Sequence, residues 1–397
     1  MIGKRFIAPA VSAVIIATVV VLGAASAGTA GGPGRSPSTG FSVFATGLLN
    51  PRGLEFGPGG GLFVAEGGPG GTTSTGPPEH DPALCEQVPG PSSGSPTGPG
   101  PATGGFGARV SRIGRDGTRR TVVDGLPTSQ TTIGASVQGV ADVKFFDGRL
   151  YAITAGAGCS HGLAGTVNSL LRVNRNGTVT SVVNLSAYLA AHPPADRTFE
   201  LNDWEPDGTW YSMVAARGAL YAVEPNHQEI DRIDSRWHVT RVLDLSAQSV
   251  AQQSWIGPTS IVYHDGDFYF GTLSPFPIAP AAAVYRMTPS GDVARIVGGL
   301  FTVLGVAFDC RDRLYALESM TDTAIPFPGP NQIGSGKVVR INRDGSQTVV
   351  VEGLSFPTAM TFGPDGLLYI SNFGFGAPTG EIDRANVADG CGFGHDH

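Results

Sequence analysis

The chain has 397 residues, of which 41% are hydrophobic and only 15% charged, with a formal net charge of −7. That is enough apolar material for a large core, and an acidic balance that argues against nucleic-acid or anionic-membrane partners, both of which want basic patches. Gly (58) and Pro (30) together make up about a fifth of the residues, a turn-rich composition that falls short of disorder because Val, Leu, Ile and Tyr recur throughout.

In chain order, the first segment stands outside the fold. Lys4 and Arg5 precede an apolar stretch at 11–22, and Ala25-Ser26-Ala27 offers the small residues a signal peptidase accepts. Residues 1–27 therefore read as a secretory signal cut near Ala27, with no membrane insertion once it is removed. A retained anchor is the alternative, disfavoured because the run is short for a span of about 20 residues. Residues 28–40 read as a Gly/Ser/Pro linker, 41–387 as the folded domain and 388–397 as a tail. Export places Cys85, Cys159, Cys310 and Cys391 in an oxidising compartment, where an even count favours two disulfides.

One unit recurs: a Leu-aromatic strand start, a loop, an Arg-Ile or Arg-Val strand, a Gly-containing turn and a Val-rich strand ending near Gly-Leu. Leu62-Phe63, Leu150-Tyr151, Leu220-Tyr221, Phe268-Tyr269, Leu314-Tyr315 and Leu368-Tyr369 mark six copies, separated by 88, 70, 48, 46 and 54 residues. A period near 45 with insertions is the signature of propeller blades of four short strands. Asp116-Gly117, Asn176-Gly177, Ser290-Gly291 and Asp344-Gly345 supply the positive φ that tight hairpins between third and fourth strands need. The sixth unit lacks a fourth strand, but residues 41–48 match residues 347–354. The expected fold is thus all-β, a six-bladed β-propeller of four antiparallel strands per blade, closed by the N-terminal strand completing blade six.

In such a ring the loops joining strand two to three and strand four to the next blade share one face. Here these are the long ones, at 67–107, 155–167, 185–205, 273–282 and 319–335, so that face is where binding is expected. The same topology puts Cys85 and Cys159 in adjacent long loops and Cys310 and Cys391 toward the opposite face, which predicts the pairs Cys85-Cys159 and Cys310-Cys391.

Second strands end on Glu66, Thr154, Glu224, Thr272, Glu318 and Asn372. A ring of this kind could hold a divalent cation such as calcium, with Glu66, Glu205, Glu224 and Glu318 as candidate ligands. Equally, each glutamate could accept backbone hydrogen bonds or pair with an arginine such as Arg52. Ligand-binding candidates at the channel mouth are Arg52, Gln138, Trp204, Glu205, Asn226, His227 and Asn372; Glu205, Glu224 and His227 are the acid-base or metal candidates, against the commoner solvated loop histidine. Trp204, Trp210 and Trp255 could wall a ligand or pack between blades. Gly158-Cys159-Ser160-His161-Gly162 has nucleophile-elbow spacing but no helix after it, and the final Gly394-His395-Asp396-His397 reads as a frayed tail.

Asn50-Pro51-Arg52-Gly53-Leu54, Val64-Ala65-Glu66-Gly67-Gly68, Glu205-Pro206-Asp207-Gly208, Gly257-Pro258-Thr259-Ser260 and Asn372-Phe373-Gly374-Phe375-Gly376 resemble the ScyD/ScyE family of secreted propellers. The resemblance implies an NHL-like or lactonase-like propeller and transfers no catalytic residue, because Thr209-Trp210-Tyr211-Ser212-Met213 departs from the family's usual run there. Two readings follow. One is a secreted, monomeric propeller binding a small molecule, polymer or protein through its long-loop face. The other is a metal-dependent extracytoplasmic enzyme, a lactonase-type hydrolase or an oxidoreductase on a phenolic or indolic metabolite.

Overall fold

The computed structural model describes residues 40–73, 101–131, 136–198, 204–252, 255–273, 280–323, 330–376 and 378–388. The expected signal, nearly all of the linker, Cys85, Cys391 and the end of the tail lie outside them. The described strands form six small antiparallel sheets in a ring, a six-bladed β-propeller. Innermost are Pro51–Phe56, Val140–Phe146, Ser212–Ala216, Pro258–His264, Val303–Phe308 and Ala359–Phe362, and each lies against its two neighbours, with blade one meeting blade six. Blade one carries an extra two-residue strand, Val137–Gln138, beside its fourth.

Closure follows the sequence expectation. Ser42–Leu48 pairs with the third strand of blade six, Gly380–Ala385. The register identifies it as a sixth copy of the fourth strand rather than an added one. In every blade the pairing of strands three and four skips one residue of the fourth: Val122, Val182, Val242, Ile296, Val350 and, in the N-terminal strand, Phe44. Such a bulge increases local twist, and its recurrence at one position gives all six blades the same bend. Leu48, fully buried, joins Leu54, Leu62, Tyr369 and Ile382 in the apolar cluster that seals blade six to blade one.

Turn chemistry accounts for where blades differ. Gly117, Gly177, Gly291 and Gly345 have φ of 79°, 79°, 94° and 82° in the expected hairpins; blade three has no glycine there and Trp237 takes φ 68° instead. Fourth strands take a positive φ at the Gly-Leu step, at their ends in Gly47, Gly299 and Gly353 and at Gly125, beyond which blade one's strand runs on to Thr131. Blades two and three replace that glycine with Asn184 and Asp244, and short helices follow, Leu185–Ala191 and Ser246–Gln252. Asn184 Oδ1 accepts from the Ala187 amide at 2.9 Å and Asp244 Oδ1 from the Ser246 amide at 3.0 Å, the bonds by which such residues start helices. The repeat concealed these helices because Leu185, which opens the first, and Leu245, which precedes the second, still read as the ends of strands.

Neither Cys159 nor Cys310 is a free thiol. Cys159 opens the turn Cys159–His161, beside which a Cβ on Gly162 would meet the Thr73 carbonyl oxygen at 3.0 Å, so the chain heading toward Cys85 passes this turn. On the other face, the Tyr315 hydroxyl donates both to Asp309, next to Cys310, at 2.9 Å and to the Val387 carbonyl at 3.4 Å, four residues before Cys391. Peptide mapping without reduction is expected to recover Cys85 linked to Cys159 and Cys310 linked to Cys391; any link between the two sets would contradict the assignment of faces.

Candidate functional site

The residues ending the second strands turn out to be structural anchors, and in four blades they hold the loop that leads in. Glu66 Oε2 accepts from the Leu49 amide at 2.6 Å, Glu318 Oε2 from the Phe301 amide at 2.8 Å, and Asn372 Oδ1 from the Ser355 amide at 2.9 Å. In all three the amide lies 17 residues earlier. Glu224 holds the amides of Thr209 and His227, while Thr154 and Thr272 accept from the third-strand amides of Ser169 and Ala283 at 2.8 and 3.0 Å. Glu66 also pairs with Arg109 at 2.8 Å and Glu318 with Lys337 at 3.3 Å; Arg52 pairs with neither. Among the described residues no three His, Cys, Asp or Glu side chains are grouped to hold a metal ion, so Glu66, Glu205, Glu224 and Glu318 do not form a common coordination sphere there.

Opposite these residues stand the openings of the third strands, and the pairing is chemical as well as geometric. Glu66 faces Arg109 and Glu318 faces Lys337, but Glu224 faces Glu229 and Asn372 faces Glu381. Blades three and six thus carry the same run, Glu229-Ile230-Asp231-Arg232 and Glu381-Ile382-Asp383-Arg384, with acids where blades one and five have cations. In blade three Arg241 supplies the cation to Glu229 and the Tyr188 hydroxyl donates to Asp231 at 2.9 Å; burial and the neighbouring carboxylate still hold Glu229 far above the carboxylate range. In blade six Asn372 Nδ2 donates to Asp383 at 2.8 Å, and burial, aided by Glu381, pushes Asp383 up to about 7.

Long-loop residues gather in two groups. In the first, Trp204 lies on the His227 ring with centroids 4.2 Å apart, and Arg197 sits over Trp204 at 5.2 Å. His227 Nε2 lies 3.2 Å from the Glu205 carbonyl oxygen, and Asn226 Oδ1 accepts from the Glu205 amide at 2.9 Å. Burial lowers the His227 pKa, so this ring is neutral and packs the loop. Trp210 is buried between blades two and three. Ser160 and His161 are likewise structural: Ser160 Oγ donates to Asp207 at 3.0 Å and His161 Nε2 lies 3.0 Å from the Gly208 carbonyl oxygen.

The second group closes the mouth of the channel. The Tyr211 hydroxyl, from blade three, donates to the Thr358 carbonyl at 2.9 Å, although blades three and six face each other across a six-membered ring. Arg52 lies beside this bar, its guanidinium carbon 5.8 Å from the Tyr211 centroid and 4.8 Å from that of Phe375, and its Nη2 donates to the Val137 carbonyl. Gln138, next to Val137, is half-buried at the same rim. Below the bar lies a cavity of about 370 Å³ reaching His264, Phe308 and Phe362 at the far ends of the inner strands. Its wall holds an ion cluster: Lys144 Nζ lies 3.3 Å from Glu55 and 3.4 Å from Asp142, and donates to the Leu54 carbonyl at 3.1 Å. Asp142 also accepts from the Met213 and Val143 amides, each at 2.8 Å.

Sequence reasoning placed Arg52 and Gln138 at this rim but assigned no role to Tyr211, Phe375 or the Asp142–Lys144 pair. The signals were present. Tyr211 sits in the run that departs from the resembling family, and Asp142 and Lys144 are alternate residues of an inner strand, so they share one face of it.

Because Asp383 is protonated more readily folded than unfolded, its penalty is absent below about pH 4 and grows as pH rises toward 7. Asp383→Asn is therefore expected to flatten the fall in Tm between these values and to melt above the wild type at pH 8; an unchanged pH profile would remove Asp383 from this account.

No family model and no curated protein sequence matches the chain. Solved structures do resemble it. A luciferin-regenerating enzyme is 8% identical with a TM-score of 0.51, covering 89% of this chain and 97% of its own. A virginiamycin B lyase from Staphylococcus aureus is 14% identical, with a TM-score of 0.44 over 87% and 99%. A gluconolactonase from Xanthomonas campestris is 12% identical, with a TM-score of 0.45 over 87% and 98%. At such identities the likeness is one of fold alone.

Proposed function

We propose that this protein is a secreted, monomeric ligand-binding propeller of ScyD/ScyE type that takes a small molecule at the long-loop mouth of its ring. The observation that carries the reading is the cluster of Arg52, Tyr211 and Phe375, contributed by blades one, three and six and converging over the channel. Aromatic faces beside a cation, on loops fixed by a rigid scaffold, make a recognition surface that needs no catalytic set. The reading of a metal-dependent enzyme draws no support from Glu66, Glu224 and Glu318, whose carboxylates are occupied by loop amides.

A fragment screen followed by thermal shift tests this. Hits are expected to lose about tenfold or more in affinity with Tyr211→Ala or Phe375→Ala, the loss typical of an aromatic anchor, and to keep it with His264→Ala at the channel's far end. Hits that survive both mouth substitutions but not His264→Ala would move the site to the opposite face.

A further inference from the structure

Arg52 is 7% exposed, and a guanidinium keeps its charge at any pH a protein experiences. Buried cations are ordinarily paired with a carboxylate, because a desolvated charge without a counter-charge is costly. Here, among the described residues, none pairs with it. Its surroundings are the Val137 carbonyl and two aromatic rings, and burial and the Tyr211 hydroxyl are what act on its charge. Asp142, so close to the next residue that a Cβ on Gly53 would lie 1.9 Å from its Oδ1, is already committed to Lys144 and two amides. The contrast with Arg109, Arg241 and Arg313 is direct, since each of those meets an acid within 3 Å.

Fixing such a group costs the fold effort. Ser371 Oγ donates to the Arg52 carbonyl and Thr358 Oγ1 to that of Pro51, both at 2.6 Å, so two blade-six hydroxyls hold the backbone on which Arg52 stands. Aromatic faces partly offset its charge but leave the in-plane N–H groups without an anion. Phe375 packs edge to face with Phe356, centroids 6.5 Å apart, extending an apolar surface from the guanidinium.

We propose that the ligand of this mouth is an organic carboxylate, its anionic group bound in the Arg52 fork and its apolar body resting on Phe375 and Phe356. This rests on the reading of the mouth as a ligand site and adds the chemical class. A planar guanidinium matches a carboxylate in two-pronged geometry, and the Tyr211 bar makes the site a cup rather than a pore.

The test compares phenylacetate with phenylacetamide by calorimetry on the full chain, in the wild type, Arg52→Met and Arg52→Lys. The wild type is expected to bind the acid about tenfold or more tightly than the amide. Arg52→Met should abolish that preference, and Arg52→Lys, which keeps the charge and loses the fork, should retain part of it. Unliganded Arg52→Met should melt no lower than the wild type, because an apolar side chain of similar length replaces an unpaired buried charge. Equal binding of acid and amide, still sensitive to Phe375→Ala, would overturn the anion assignment and leave the mouth reading intact. Absence of phenylacetate binding, or an acid preference that survives Arg52→Met, would also overturn it. A lower unliganded Tm of Arg52→Met with no acid preference in the wild type would make Arg52 a structural plug.

Discussion

Everything at the mouth depends on how the ring is closed. Ser42–Leu48 completes blade six, and the chain then turns directly into the first strand of blade one, which begins at Pro51. The same junction is held by Thr358 and Ser371 of blade six on the Pro51 and Arg52 carbonyls. One short segment therefore supplies both the closing strand and the buried arginine. A closed ring removes the unpaired edges that an open array would expose, and it fixes the only described buried arginine within reach of rings from blades three and six.

A second constraint operates in each blade. In four blades the side chain ending the second strand holds an amide of the loop leading in, and in the two that end on threonine it holds a third-strand amide instead. Of those four, two balance the glutamate with an arginine or a lysine on the third strand, one sets Glu224 against Glu229 with Arg241 as the cation, and one sets the neutral Asn372 against Glu381 and Asp383. Loops that carry recognition residues need such anchors, because a loop lacks the continuous ladder that fixes a strand. The alternation of glutamates that suggested a cation ring is thus the trace of a loop-holding device.

The fold was legible because a repeat reports itself many times over: five Leu-aromatic starts and one Phe-Tyr, four glycine hairpins and the match between residues 41–48 and 347–354 all agree. That match was correct to the residue, since Phe44 and Val350 are the bulged positions of their strands. The site was less legible. Tyr211 reaches Thr358 across 147 residues of sequence, and no local pattern encodes a contact between facing blades. Arg52 could be placed at the rim from topology, but its lack of an acidic partner is a property of three-dimensional packing; the sequence supplied glutamates in plenty, and they proved to be engaged elsewhere. The two helices escaped notice because Asn184 and Asp244 act as caps only once the chain has left the sheet.

Closure is most directly examined by native-state hydrogen exchange at the amides of Ser42–Leu48. If this strand is an integral part of blade six, its bonded amides will exchange with the same high protection as those of Leu368–Asn372, opening only in global unfolding. Exchange at the rate of a frayed terminus, with Leu368–Asn372 still protected, would mean that the ring stands without its N-terminal strand and would contradict the account.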